Sequence, residues 1–188
     1  MALLVGVFVC LLSARPATTL PPDFTDSLVT DVSAPTALAF TPDGHMLVTS
    51  KPGQLHVFGQ NGNELSTPAL DIHSRVCSNS ERGLLGVAVD PDFVNNGYVY
   101  LYYTYRKYGV CPDHMPASNK NPVNRVSRFV MANDVIDPDP NKEQVLINNI
   151  PSPNGNHNAG DLKFGNDGNL YISVGDGGCN YNKPSRCQ

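Results

Sequence analysis

The sequence predicts an all-β fold, and three observations carry that expectation. Apolar and polar residues alternate in short runs, the runs are separated by Gly, Pro, Asn and Asp, and one hairpin outline recurs along the chain. The 188 residues include 16 Gly and 16 Pro but no Trp, and no long segment spaces its apolar residues at the helical period. A hydrophobic content of 40% is enough for a buried core.

Residues 1–12 form an unbroken apolar run, and small and polar residues follow it from Ser13 to Thr19. Residues 1–19 therefore read as a secretory signal peptide, although no Lys or Arg precedes the run; a buried strand is the other reading. The run is shorter than the roughly 20 residues a membrane span needs, so no stable span is expected. A leader of this kind implies a secreted or extracellular protein, periplasmic in a bacterium.

Residues 36–50 open the folded part, 20–188, with two alternating strands about Asp43-Gly44, and residues 54–58 add an outer strand closed by Asn61-Gly62. Residues 83–104 repeat the outline with a longer turn, and residues 124–130 supply an outer strand after an irregular loop over 111–122. The third copy places Leu162 and Phe164 before Asp167-Gly168, and Leu170, Ile172 and Val174 after it. Read as a two-residue turn, Asp167-Gly168 pairs residue 161 with residue 174. Four-stranded sheets recurring about every 50–75 residues are the sequence signature of propeller blades. A two-sheet sandwich explains the strands but not the repeated hairpin. Three such units are fewer than the roughly four blades that close a propeller, so the chain reads as the N-terminal part of a longer protein.

The third hairpin carries the chemistry. The entry to its first strand and the exit from its second lie at one end, which brings His157 and Asp176 to the same mouth. A carboxylate beside an imidazole fixes its tautomer and raises its basicity, as a general base requires.

Without the leader four cysteines remain, Cys77, Cys111, Cys179 and Cys187, an even number that fits disulfides in an oxidising compartment. Three connectivities are possible; joining nearest neighbours, Cys77 with Cys111 and Cys179 with Cys187, would staple two long loops. No pair has zinc-ligand spacing, and no metal ligands are assigned. A net charge of -4 with scattered Lys and Arg excludes a basic nucleic-acid footprint. Residues 137–143 begin like a calcium loop but lack its Gly and its bidentate Glu, and read as a solvated turn between blades. The tyrosines between 98 and 108 are expected to pack between blades. His45, His56, His73 and His114 have no acidic partner at telling spacing and receive no role.

Three segments in order, Pro35-Thr36-Ala37-Leu38-Ala39-Phe40-Thr41-Pro42-Asp43-Gly44, residues 81–93 with 96–100, and His157-Asn158-Ala159-Gly160 through Gly175-Asp176-Gly177-Gly178, resemble the PQQ-dependent soluble glucose dehydrogenases. These are also called glucose/sorbosone or aldose sugar dehydrogenases. The resemblance covers nearly all of the chain after the leader. It implies a six-bladed propeller of which about three blades are present, holding pyrroloquinoline quinone (PQQ) above calcium. The implied reaction oxidises the anomeric hydroxyl of an aldose to a lactone: His157 removes the proton, Asp176 orients it, hydride passes to PQQ, and an external acceptor takes the electrons. Glu81 and Asn156 fall at positions that face the sugar; Asn156 stands where glucose dehydrogenases can carry an acid. The residues that hold quinone and calcium come later than residue 188, so these residues alone are expected to be inactive and not to persist as a soluble monomer. The competing reading, from another class, is a non-catalytic extracellular binding propeller resembling Hedgehog-interacting protein, with a protein ligand.

Overall fold

The computed structural model describes residues 21–114 and 120–178. The proposed leader, and Cys179 with Cys187, lie outside the described residues. The all-β expectation holds: three antiparallel sheets follow one another along the chain. The first has β1 (Pro35–Phe40), β2 (Met46–Ser50), β3 (Gln54–Phe58) and β4 (Glu64–Asp71) in sequence order. The second pairs β5 (Leu84–Val89), β6 (Tyr98–Tyr105) and β7 (Val123–Ala132). The far side of β7 is shared by β8 (Val135–Ile136) and β9 (Gln144–Pro151). The third is the hairpin of β10 (Ala159–Phe164) and β11 (Leu170–Val174).

The first strands of the three sheets, β1, β5 and β10, pack side by side, as the inner strands of successive propeller blades do. Two cores fill the spaces between sheets, and β6 feeds both because its side chains alternate across the pleat. Val99, Leu101 and Tyr103 face the first sheet and are buried with its Leu47, Leu55 and Val57 and with Phe129 of β7. Tyr100 and Tyr102 face the third hairpin and enclose Leu162. The expectation that these tyrosines pack between blades is met there, whereas Tyr108 is exposed.

Three hairpins share one closure. Thr41, Gly59 and Gly165 donate their N–H to His45, Asn63 and Asn169, and Gly44, Gly62 and Gly168 donate back to residues 41, 59 and 165. These are three-residue loops, each with a glycine at φ near +80° (84°, 78° and 79°), the left-handed position that follows a type I turn. The two-residue reading is thus corrected. Leu162 pairs with Ile172, which sets Asp161 beside Ser173 rather than Val174, and a bulge toward Ala159 absorbs the difference.

Residues 137–143 need a second correction. Pro140–Lys142 form a 3-10 turn capped by Asp139, but Glu143 at its end is buried, with a side chain 3% exposed. Its carboxylate accepts hydrogen bonds from Arg75 Nη1 (2.6 Å), Ser127 Oγ (2.5 Å), Arg125 Nη1 (3.5 Å) and the Tyr103 hydroxyl. A carboxylate taken out of water needs such donors, and two arginines provide them.

Candidate functional site

Residues 152–158 form an arch that leads into β10, and its shape follows from what lies beneath it. Arg82, fully buried, donates from Nε to Ser152 Oγ (3.0 Å), from Nη2 to Ser152 O (2.6 Å) and from Nη1 to Pro112 O. Ser152 Oγ passes the chain on to Asn158 Oδ1 (2.7 Å), which also accepts from Asn124 Nδ2 (3.1 Å). Tyr102 donates its hydroxyl to Asn158 O (3.0 Å), so both ends of the arch are pinned from below. Burial lowers the Arg82 pKa to about 10 against the opposing pull of Asp113, and the guanidinium keeps its charge at neutral pH. Arg82 was not singled out in the sequence, because the acceptors that hold it, residues 112 and 152, are far from it along the chain.

The third hairpin brings His157 and Asp176 together as expected: Nδ1 lies 2.7 Å from Asp176 Oδ1. An ionised carboxylate only accepts, so in the neutral ring Nδ1 carries the proton and Nε2 keeps its lone pair for an incoming hydroxyl. Both side chains are partly open, the imidazole 53% and the carboxylate 36% exposed. His157 adopts φ +55°, a left-handed conformation that costs a non-glycine residue about 1–2 kcal/mol. Several bonds hold it there. Its N–H donates to Glu81 Oε2 (2.7 Å), its carbonyl accepts from Gly177 N–H (3.0 Å), and Asn154 Nδ2 reaches Gly177 O (3.1 Å) and Gly178 O (3.0 Å). Gly175 must lack a side chain, because a Cβ there would run into the His157 carbonyl.

A His–carboxylate contact alone does not mark a site in this protein. His45 meets Asp134 (3.0 Å), His56 meets Glu64 (2.6 Å) and His73 meets Asp71 (2.6 Å), correcting the expectation that these histidines lack acidic partners. His157 differs in its left-handed backbone, and it follows Gly155 and Asn156, which line an open depression of about 610 Å³. Ser80, Glu81, Asp113, His114, Gly155 and Asn156 line that depression, so Glu81 and Asn156 do gather at the His157 arch. The Cys77–Cys111 disulfide forms, with Cα atoms 5.6 Å apart, and ties down the wall that carries Asp113 and His114.

The described lining does not suit a polyanionic quinone or a calcium ion. Against the quinone, it offers carboxylates and no free cation: Arg82 is committed beneath the arch, and Lys51 Nζ donates to Ser80 O. No group of three or more His, Cys, Asp or Glu that could hold a metal occurs among the described residues. No helix among them is long and apolar enough to cross a membrane.

Comparison with known proteins gives a consistent setting. The Glucose / Sorbosone dehydrogenase family matches residues 32–186. Hedgehog-interacting protein of Mus musculus is 30% identical over 152 residues, covering 76% of this chain and 21% of that protein. The aldose sugar dehydrogenase of Escherichia coli K12 is 31% identical over 148 residues, covering 76% of this chain and 35% of that enzyme. Among solved structures, the PQQ-bound aldose sugar dehydrogenase of Streptomyces coelicolor superposes with a TM-score of 0.62 at 25% identity, over 80% of this chain and 40% of that one. The fold is thus of the propeller type, and the chain spans only 21% and 35% of the length of these two curated relatives.

Proposed function

The chain belongs to the glucose/sorbosone dehydrogenase family, and from that premise we propose that it forms part of an oxidoreductase acting on the anomeric hydroxyl of an aldose, with His157 as the general base. The observation that carries this reading is the His157–Asp176 contact at 2.7 Å held on a left-handed backbone, next to the depression that Glu81 and Asn156 line. Asp176 orients the ring by accepting from Nδ1, and Nε2 takes the hydroxyl proton as the sugar is oxidised to a lactone. This chain's residues account for the proton and for one wall of the sugar site, where Asn156 stands. The PQQ and calcium implied by the family resemblance are to be held by residues other than those described, and an external acceptor takes the electrons. The Cys77–Cys111 bond supports an oxidising compartment, outside the cell or in a periplasm.

The test is dye reduction by the intact protein, reconstituted with calcium and PQQ, against a panel of aldoses. Wild type is expected to turn over at least one aldose, and His157→Ala to lower kcat by about 100-fold or more. Undiminished turnover in that variant would remove His157 from the chemistry.

The similarity to Hedgehog-interacting protein favours a second reading, an extracellular propeller that binds a protein ligand through the same face. Absence of quinone-dependent turnover with every aldose would select it.

A further inference from the structure

We propose that Glu81 is a positioning residue for His157, acting through the main chain: its carboxylate takes the His157 N–H and holds the left-handed backbone from which the imidazole meets Asp176. The proposal rests on His157 being the base. Residue 81 grips the arch twice, donating its own N–H to Gly155 O (2.8 Å) and accepting from His157 N–H (2.7 Å). It is placed to do so by a tight turn. Ser80 has φ +51°, and Arg82 N–H closes back on Asn79 O (3.0 Å).

The next residue works on the same arch from below, since Arg82 pins Ser152 and, through its hydroxyl, Asn158. Adjacent residues thus clamp opposite sides of a seven-residue segment, one by charge-assisted acceptance and one by donation. A left-handed histidine needs this. Relaxing to an ordinary φ would carry its carbonyl away from Gly177 N–H and the ring away from Asp176. Glu81 Oε2 is therefore committed to protein rather than offered to sugar, a different role from the one the family position implies.

Three variants of the intact, 15N-labelled protein test this. Glu81→Gln keeps an acceptor, Glu81→Met keeps length without one, and Glu81→Asp keeps charge but falls a methylene short. With Met and with Asp, kcat is expected to fall about 10- to 100-fold while KM stays within about twofold. In both, the His157 amide proton should move upfield and exchange about tenfold faster. Gln, a neutral acceptor of the same length, should restore most of both readings. A raised KM with unchanged kcat in the Met variant would instead make Glu81 a sugar contact, and an undisturbed His157 amide in Met and Asp would overturn the clamp. Were wild type to oxidise no aldose, the proposed activity would fall while the amide readings still decided the clamp.

Discussion

Two neighbouring tyrosines on β6 end in two buried polar networks that solve the same problem in opposite ways. Tyr103 donates to Glu143, a carboxylate closed in by Arg75, Arg125 and Ser127. Tyr102 donates to Asn158 O in a network whose charge, Arg82, is hydrogen-bonded to neutral oxygens of Pro112 and Ser152. The first seats its carboxylate among charged donors and fastens the 137–143 turn to the second sheet. The second leaves a positive charge under the His157 arch, where the partly exposed acids Glu81, Asp113 and Asp176 gather. One network is for holding; the other holds and also sets the field of a site.

Four experiments can break or sharpen that contrast. The largest effect is expected from Glu143→Ala, which leaves two arginines without their shared carboxylate in a largely buried pocket. It should cost about 3–5 kcal/mol in denaturant unfolding while the His157 amide signal stays put. Arg82→Met removes donors from three oxygens and should cost less, about 2–4 kcal/mol, yet displace that signal. If the two variants disturb His157 equally, the division of labour is wrong.

Alkali should strain both networks. Burial pushes the Tyr102 and Tyr103 hydroxyls well above their usual range, and burial with Asp90 beside it pushes Tyr100 up to about 12. An unfolded tyrosine ionises near pH 10, so the unfolded chain loses these protons first. The stability they contribute is full below about pH 10 and is lost as pH rises toward about 12. Exposed tyrosines such as Tyr108 and Tyr171 add tyrosinate absorbance of their own in the folded protein. The absorbance of the buried ones, read as the difference from the matching Phe variant, should therefore appear only together with loss of tertiary structure, and its growth in a still-folded protein would contradict the burial. The smallest effects belong to Tyr103→Phe, about 1.5–3 kcal/mol because its partner is a carboxylate, and to Tyr102→Phe, about 1 kcal/mol. Only Tyr102→Phe should also speed amide exchange at Asn158 and its neighbours.

Much of this architecture was legible in the sequence because it is local. Strand alternation and Asx-Gly turns located all three hairpins, and hairpin geometry alone joined His157 to Asp176. The register erred by one at the third hairpin because Asp167-Gly168 signals a turn without stating its length; the deciding bond, Gly165 N–H to Asn169 O, begins two residues earlier. Buried charges were opaque for another reason. Glu143 meets Arg75 across 68 residues, and nothing local separates it from a solvated turn residue. His45 and Asp134 are 89 residues apart and meet only because two turns of adjacent sheets abut. His56–Glu64 spans just 8 residues, and a closer reading of the turn at Gly62 would have found it.

The shared three-residue closure constrains how this chain can diverge. A strand shows alternate residues to alternate faces, so gaining or losing one residue within Thr41–His45, Gly59–Asn63 or Gly165–Asn169 would invert a whole strand, unless a bulge absorbed the change. Insertions and deletions at these hairpins should therefore occur in pairs among descendants of a common ancestor. Single-residue length changes should collect instead in the connections between sheets.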